Sequence, residues 1–381
     1  MFQASVSRRS SRLSRRDPTS PWRHLDPVMI GCTAALALIG VVMVYSATRG
    51  PGPDYYNAYL FKQSLFVIIG AATLAVFTIV DYQKLHDWAW VFYGVTNLLL
   101  LLVISPLGSQ SNGAQAWFAL GPFQLQPAEF SKISLIGVLA FMLSEFRGDI
   151  DVRRTVALLA VAGFPMVLIM LQPDLGLVLI LTVIMMAMLL IGGLPTKYIA
   201  VLTIIGVVGV VGALNSPVIK QYQTDRLTAF TNPDDRSNPA VYNIAQSQLA
   251  IGNGQLTGQG LFSGAQTRLG TVPEQQTDFI FTAVAEQFGF IGAGIMLLLY
   301  ALLCHRIWRT ARIARDQFGS LICVGVLAMF LFSIFENVGM ATGIMPVTGI
   351  PLLMMSAGGS STITAMAAIG LVLNVHMRRF R

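Results

Sequence analysis

Ionisable side chains recur at the edges of the apolar stretches of this 381-residue sequence. Six residues share this position: Glu129, Lys132, Asp174, Asp278, Glu286 and Glu336. A carboxylate at the edge of an apolar region loses water, which raises its pKa and makes it a better general base. Ionisable residues of this kind are functional candidates in membrane segments. The pattern therefore indicates a candidate functional site at one level of the molecule.

Each of these residues also has a structural explanation. Glu129 and Lys132 are three residues apart on one predicted helix face and can neutralise each other. Asp174 follows a proline and suits the first turn of a helix. Asp278 lies in TVPEQQTDFIF, where a helix cap explains it as well as a catalytic role does. Glu336 is also explained by a polar contact with a neighbouring helix.

Two more residues extend the candidate set. Glu274 precedes Asp278 by four residues, at the junction of a long loop and an apolar segment. Trp117 lies in NGAQAWFALGPFQLQP, where it fits either the aromatic belt of a membrane interface or a platform for substrate. Residue types alone leave both alternatives open.

The elements that carry these residues must be membrane helices. Charged residues make up 11% of the chain and hydrophobic residues 54%, whereas soluble domains carry about 25% charged residues. The mean hydropathy is +0.66, so much of the apolar surface must face lipid. Cys32, Cys304 and Cys323 lie inside apolar runs, and their spacing fits neither a disulfide framework nor a zinc site.

The sequence predicts an all-α polytopic protein of about ten transmembrane helices, since a spanning helix needs roughly 20 mainly apolar residues. Such runs occur at 27–47, 62–80, 87–107, 129–146, 153–172, 174–193, 198–214, 279–304, 318–340 and 352–376. The domain plan is a basic cytoplasmic tail (1–26), a ten-helix membrane domain (27–376) and a short basic C-terminus (377–381).

Lysines and arginines fix the orientation of these predicted helices. With the N-terminus in the cytoplasm, 18 of the 25 basic residues fall on inner segments, as the positive-inside rule requires. Both termini are therefore predicted inside. The net charge of +7 is explained by the orientation of the helices and by attraction of the basic residues to anionic lipid headgroups. Nucleic-acid binding is therefore not expected. No cleavable signal peptide is expected either, because the Arg-rich start is followed by an apolar run without a small-residue cleavage site.

One external loop is unusually long. Residues 215–278 separate the seventh and eighth predicted spans, and loops longer than about 15 residues are usually functional or disordered. This loop alternates a possible amphipathic helix, AVYNIAQSQLAIG, with the glycine-rich turns of GNGQLTGQGLFSG. We therefore expect it to be ordered and to face substrate.

Several stretches together resemble a known family. They are HLDPVM, NGAQAWFALGPFQLQPAEFSK, QPDLG, YNIAQSQLAIGNGQLTGQGLFSGAQTRLGTVPEQQTDFIF, AEQFGFIG and ENVGMATGIMPVTGIPLLMMSAGGSS. In this order and spacing the chain resembles the SEDS family of RodA, FtsW and SpoVE, and RodA most closely. The resemblance implies ten transmembrane helices with a large external loop before the eighth.

The resemblance also implies an activity. Family members are peptidoglycan glycosyltransferases of the bacterial cytoplasmic membrane that polymerise lipid II, and they work with a class B penicillin-binding protein that crosslinks the strands. Similarity to RodA implies a role in cell elongation and shape, together with other elongation-complex membrane proteins. The aspartate of the family's TDFIF motif, regarded as catalytic, falls on Asp278. The family's tryptophan falls on Trp117, and the Glu and Lys of its QPSE-x-x-K motif fall on Glu129 and Lys132.

The chain departs from the family pattern in three places. Gln276 stands where many members have histidine, which excludes a histidine proton carrier there. Gln287 replaces the second glutamate of the common AEE, and Ala357 replaces the tyrosine before GGSS. These changes put supporting roles in doubt and leave the motif residues intact.

A single base suffices for the implied chemistry. The lipid pyrophosphate is a good leaving group, whereas the acceptor hydroxyl is a poor nucleophile, so we assign Asp278 as general base of an inverting displacement. The predicted substrate-binding residues are Trp117, Glu129, Lys132, Arg226, Glu274 and Glu286. Lys132 and Arg226 are the candidates for the pyrophosphate. A divalent cation, Mg²⁺ or Mn²⁺, is compatible with this chemistry, but no spacing demands one and no metal ligand is assigned.

Two other functions stay open from the residues. A flippase for lipid-linked precursors would show paired broken helices and polar groups through the full membrane depth, whereas the ionisable groups here cluster toward one surface. A non-catalytic scaffold for a cell-wall synthase would use helix faces rich in small residues to bind a partner helix. Such a scaffold would not need converging ionisable residues.

Overall fold

The fold consists almost entirely of helices. A computed structural model describes residues 21–49, 58–111, 114–121, 123–146, 148–214, 226, 228–230, 232, 235 and 238–380. After a 3₁₀ turn at Pro21–His24, the described helices are α1 (Pro27–Thr48), α2 (Ala58–Ile79), α3 (Tyr82–Ile104), α4 (Pro127–Phe146), α5 (Val152–Leu171), α6 (Leu175–Ile191), α7 (Thr196–Leu214), α8 (Pro239–Gly254), α9 (Ala265–Leu269), α10 (Ile280–Ile313), α11 (Gln317–Thr342) and α12 (Gly359–Met377).

Eight of the described helices, α1 to α5 and α10 to α12, are long and apolar enough to cross a membrane. Helix α6 is also apolar but has 17 residues, and α7 has 19. The predicted polytopic helical fold is therefore confirmed. The count of ten spans and the orientation stay predictions.

Aspartates begin most of the helices that are predicted to start on the inner side. Asp26, Asp81, Asp151 and Asp316 each precede a helix and accept a hydrogen bond from a backbone N–H of its first turn. These N–H groups have no partner within the helix, and a side-chain oxygen satisfies them. Asp174 does the same for α6 at the opposite end of the bundle.

Helices α4 and α12 form the centre of the bundle. In their most apolar stretches 83% and 94% of the residues are buried, against 11% for α2. A helix that is buried on all sides belongs to the interior, and one with a wide exposed apolar face suits lipid contact. The residues at the outer start of α4 are therefore inside the protein and not in lipid.

The predicted eighth span is not one continuous helix. Helix α10 breaks at Gly289, where φ is 65° and ψ is −165°. The carbonyls of Glu286 and Gln287 accept from the N–H groups of residues 259 and 260, and the N–H groups of Phe290 and Ile291 donate to residues 255 and 256. A side chain at Gly289 would place its Cβ 2.4 Å from the backbone nitrogen of Gly258. The external loop is thus hydrogen-bonded into the break.

The predicted start of the tenth span at 352 is wrong. Helix α12 begins at Gly359, and residues 343–358 form an irregular stretch that we call the connecting segment. Pro346 and Pro351 lie in this segment, and proline has no N–H to continue a helix. The segment brings polar backbone into the bundle, which membrane proteins tolerate where it is enclosed by protein or lines a cavity.

The structure also contains a small sheet that the sequence analysis did not predict. Strands β1 (Ser109–Ser111), β2 (Ala114–Leu120) and β3 (Phe123–Leu125) are antiparallel in the order β1-β2-β3. The sheet links α3 to α4. In the external loop, α8 covers the stretch that was predicted as an amphipathic helix, while residues 215–225 lie outside the described residues.

Candidate active site

Asp278 is held at the end of a tight turn. The Glu274 carbonyl accepts the N–H groups of Thr277, Asp278 and Phe279 at 3.2, 3.0 and 3.4 Å. Glu274 itself adopts a positive φ of 50°, which is uncommon outside glycine. The Thr277 hydroxyl also donates to Glu274, at 3.1 Å to its carbonyl and 3.2 Å to its side chain. The turn fixes the half-buried Asp278 side chain just before α10.

The connecting segment lies directly against this carboxylate. Asn337, on α11, donates from Nδ2 to the carbonyls of Asp278 and Ile350, both at 2.8 Å. Gly349 has a φ of +78°, and a Cβ built on it would lie 3.2 Å from Oδ2 of Asp278 and 3.3 Å from Nη1 of Arg226. Glycine suits this position for its backbone conformation, and a larger residue would crowd the two charged groups.

Arg226 is the cation of this site. Its Nη1 donates to the Thr348 carbonyl at 3.2 Å, and its charge acts on Asp278. The guanidinium and the carboxylate flank one point beside Gly349. The predicted substrate-binding residue Arg226 therefore lies next to the predicted base, although the two are far apart in the sequence.

Asp174 borders the other side of the connecting segment. Its Oδ1 accepts the N–H of Leu177 at 3.1 Å and its Oδ2 accepts Nε2 of Gln126 at 3.1 Å. Two residues on, a Cβ at Gly176 would lie 3.0 Å from the Thr348 carbonyl, the same carbonyl that binds Arg226. The structural explanation of Asp174, as a residue at the start of a helix, is thus confirmed, and its charge also acts on the catalytic candidate.

Glu129 and Lys132 form a buried ion pair. The Lys132 Nζ lies 2.6 Å from Oε2 of Glu129, and the two side chains are 0% and 4% exposed. Both charges act on Asp174. A buried pair of this kind is strongly destabilised when one partner is removed. The pair is therefore a buried structural element whose charges act on Asp174, at the border of the site.

Burial sets the protonation of the two aspartates at the site. It raises the pKa of Asp278 to about 6, with Glu274 and Asp174 adding to the rise while Arg226 and the Thr277 hydrogen bond oppose it. Burial also raises the pKa of Asp174, and the charge of Glu129 adds to this effect. A carboxylate with a pKa near 6 is mostly ionised at neutral pH and is a stronger base than an ordinary aspartate.

Glu286 has a different environment. Its two oxygens accept the N–H of Gln266 at 2.6 Å, the N–H of Thr267 at 3.0 Å and the Thr267 hydroxyl at 2.6 Å. The side chain is fully buried. It holds the start of α9 and so orders the external loop, and its geometry gives no support to the predicted contact with substrate.

Of the other two predicted substrate-binding residues, Glu274 neighbours Asp278 and Trp117 lies on the small sheet. Glu274 is exposed, and its charge acts on Asp278. Trp117 lies on β2 opposite Ser109, whose hydroxyl donates to the Trp117 carbonyl at 3.0 Å. The indole is half-buried. The sheet joins the site through Gln126, whose N–H donates to Ser360 at 2.9 Å and whose side chain binds Asp174.

Within the described residues, no group of three or more His, Cys, Asp or Glu side chains is arranged to hold a metal ion.

Comparison with known proteins decides the family. A family model described as cell cycle protein, covering FtsW, RodA and SpoVE, matches residues 26–380. The chain belongs to this family. Stage V sporulation protein E of Bacillus subtilis is 36% identical over 365 residues, which cover 94% of this chain and 97% of the relative. The peptidoglycan glycosyltransferase MrdB of Escherichia coli K12 is 32% identical over 357 residues, covering 93% and 94%.

Solved structures of family members share the fold. A chain from a peptidoglycan synthase complex, in which polymerization and crosslinking are structurally coordinated, superposes with a TM-score of 0.80 at 31% identity. The rod shape determining protein RodA of Thermus thermophilus gives a TM-score of 0.70 at 30% identity. Each comparison covers 94% of this chain and 99% of the other.

Three residues of the site were missed by the sequence analysis as functional candidates. Asn337, Thr348 and Gly349 frame Asp278 and Arg226, yet on these stretches the sequence analysis singled out only Glu336, the neighbour of Asn337. The available signal was the run GIMPVTGIP, which breaks an apolar stretch with glycine and proline. Such a break inside a membrane domain indicates backbone that lines a cavity.

Proposed function

We propose that this family member polymerises lipid II into glycan strands at the outer face of the bacterial cytoplasmic membrane. One observation carries the proposal: the Asp278 carboxylate, poised to ionise near pH 6, lies beside Arg226 against the Gly349 backbone. A base beside a cation is the pair that a sugar hydroxyl and a pyrophosphate leaving group require. The names of the relatives agree with this chemistry.

In the proposed reaction Asp278 removes the proton from the acceptor sugar's hydroxyl as its oxygen bonds to the anomeric carbon of the donor. The bond from that carbon to the lipid pyrophosphate breaks, and the pyrophosphate leaves with the electron pair. One displacement inverts the anomeric centre, by analogy with inverting glycosidases. The proton stays on Asp278 and is released to solvent before the next cycle.

Arg226 is the better placed of the two cations predicted for the pyrophosphate. Lys132 is fully buried in its ion pair with Glu129, so we assign it an electrostatic supporting role. Arg226 is only half-buried and lies beside the base. A positive group at this point stabilises the charge that develops on the leaving phosphate.

The remaining roles are proposals of the same kind. Trp117 would bind the substrate from β2 of the sheet, and the charge of Glu274 would tune Asp278. A class B penicillin-binding protein is the proposed crosslinking partner, within an elongation complex that sets cell shape. A divalent cation would bind with the phosphates of the substrate.

The flippase alternative now has one observation in its favour, because α10 is discontinuous at Gly289. Carriers use discontinuous helices whose freed backbone groups bind the cargo or its ions. Here the freed groups on both sides of Gly289 are hydrogen-bonded to residues 255–260 of the external loop. The break therefore provides hydrogen-bonding groups for the external loop. The polymerase remains the favoured function.

The proposal is tested with labelled lipid II and the purified chain, with and without its class B penicillin-binding protein, in Mg²⁺, Mn²⁺ or chelator. Wild type is compared with Asp278→Ala and with the control Thr342→Val, since the described hydrogen bonds of the Thr342 hydroxyl stay within α11. Glycan polymer from wild type and the control, with none from Asp278→Ala, is expected. Absence of polymer from every sample would refute polymerase activity, and polymer from Asp278→Ala would refute the assigned base.

A further inference from the structure

Two polar residues of α11 have no assigned role in the proposed reaction. Glu336 and Asn337 are 1% and 0% exposed within an otherwise apolar helix. Burying such groups in a membrane protein is costly unless they make specific hydrogen bonds. The hydrogen-bond partners of Glu336 and Asn337 therefore indicate the role of these two residues.

Both residues bind the three-residue stretch 348–350 of the connecting segment. Oε1 of Glu336 accepts the Thr348 hydroxyl at 2.9 Å. Nδ2 of Asn337 donates to the Ile350 carbonyl and also to the Asp278 carbonyl, both at 2.8 Å. The stretch is thus tied to α11 at both ends, and one of the same side chains also holds Asp278.

The same three residues set the position of the charged pair. The Thr348 carbonyl accepts Nη1 of Arg226 at 3.2 Å, and a Cβ built on Gly349 would lie 3.2 Å from Oδ2 of Asp278 and 3.3 Å from Nη1 of Arg226. The Thr348 hydroxyl and carbonyl therefore link Glu336 to Arg226 through one residue. Asn337 links Ile350 to Asp278 in the same way.

We infer that Glu336 and Asn337 are positioning residues that fix the distance between the base and the cation of the reaction. The inference rests on the proposed function, because it concerns how that site works. Neither residue touches the reacting atoms. Their effect on catalysis passes through Thr348, Gly349 and Ile350.

The charges around Asp278 predict the direction in which its pKa moves if Arg226 is displaced. Arg226 is the cation that acts on Asp278, Glu274 acts from the same turn and Asp174 from the start of α6. The ion pair of α4 lies behind Asp174, and Glu336 lies behind Thr348 on α11. Displacing Arg226 leaves mainly carboxylates near Asp278, which favours its protonated form.

The test is the pH–rate profile of polymerisation for Glu336→Ala, Thr348→Val and their double variant, with Thr342→Val as control. Each single change is expected to move the acid limb up by about one pH unit, which slows polymerisation about threefold at pH 6.5 and about tenfold at pH 5. The double variant should match each single variant, because both substitutions remove the same hydrogen bond between Glu336 and Thr348. Glu336→Gln retains an acceptor for Thr348 and should stay within about twofold of wild type. Asn337→Ala should lower kcat more than it raises KM for lipid II.

A second readout does not depend on activity. Asp278→Asn removes the ionisable group, so its effect on the unfolding temperature at pH 7.5 reports how unfavourable the charged form is. This effect should be larger in the Glu336→Ala background than in wild type. An equal effect in both backgrounds, or rate losses that are the same at every pH, would overturn the positioning role. If wild type makes no polymer, the proposed function fails, and the stability comparison still decides the position of Arg226.

Discussion

Replacing Asp278 by asparagine should make the protein more stable while it abolishes the reaction. Burial raises the pKa of this carboxyl from 3.8 to about 6. Between these two values the folded protein keeps a proton that the unfolded chain has released, so stability falls as the pH rises through this range. Asparagine has the same shape but does not ionise, and it escapes this loss.

The size of the effect follows from the same two values. A pKa that changes from 3.8 to about 6 corresponds to about 3 kcal/mol of stability lost above pH 6. Asp278 is only half-buried, and solvent screening reduces the expected gain to about 1–2 kcal/mol. The unfolding temperature at pH 7.5 should therefore rise by about 2 °C or more.

Thermal unfolding of the purified protein in detergent, at pH 7.5 and at pH 4, provides the assay. Asp278→Asn should be more stable than wild type at pH 7.5 and equal to it at pH 4, where both side chains are essentially neutral in the folded state. Asp87→Asn is the matched control, because that side chain is 75% exposed. No gain at pH 7.5, or the same gain at both pH values, would refute the account of an ionisable base whose pKa is raised by burial.

Three further predictions concern the residues around Asp278. Arg226→Gln removes a positive charge beside the base, so the acid limb of the pH–rate profile should move up by about one pH unit, whereas Arg226→Lys should move it less; an unchanged limb would contradict the pairing. Lys132→Met leaves Glu129 buried without its partner and should cost about 3–5 kcal/mol, seen as a lower unfolding temperature that Glu129→Gln in the same chain partly restores. Glu286→Ala removes the acceptor of three hydrogen bonds and should cost about 1–3 kcal/mol, measured as faster limited proteolysis within residues 255–278; unchanged proteolysis would contradict its loop-holding role.

The helical membrane fold follows from the sequence because apolar length decides it. Runs of about 20 apolar residues form helices in a membrane since each backbone group then finds its partner within the segment. The exceptions are positions where glycine or proline changes the backbone. The break at Gly289 lies inside an apolar run whose composition is helical, and it forms because loop residues 255–260 supply the missing hydrogen bonds. Local sequence does not show that distant partner.

The candidate site follows from the sequence in part. Glu129, Lys132, Asp174 and Asp278 are conspicuous because charge is rare in apolar segments, and the structure places them around one region. Glu286 has the same signature but binds the start of α9, which shows that charge in an apolar helix indicates a specific partner and does not say which one. The Thr348–Ile350 frame is backbone, and its role depends on where α11 and the connecting segment pack.

The rate of lipid II polymerisation by wild type as a function of pH tests the central claim most directly. In the proposed reaction Asp278 acts as a carboxylate, and burial raises its pKa to about 6. The rate should therefore be level above about pH 7 and fall by about tenfold for each pH unit below the midpoint, with the chain and its substrate intact throughout. The carboxyl of Asp278 titrates between about pH 5 and pH 8. A rate that does not change over this range would contradict Asp278 as the base.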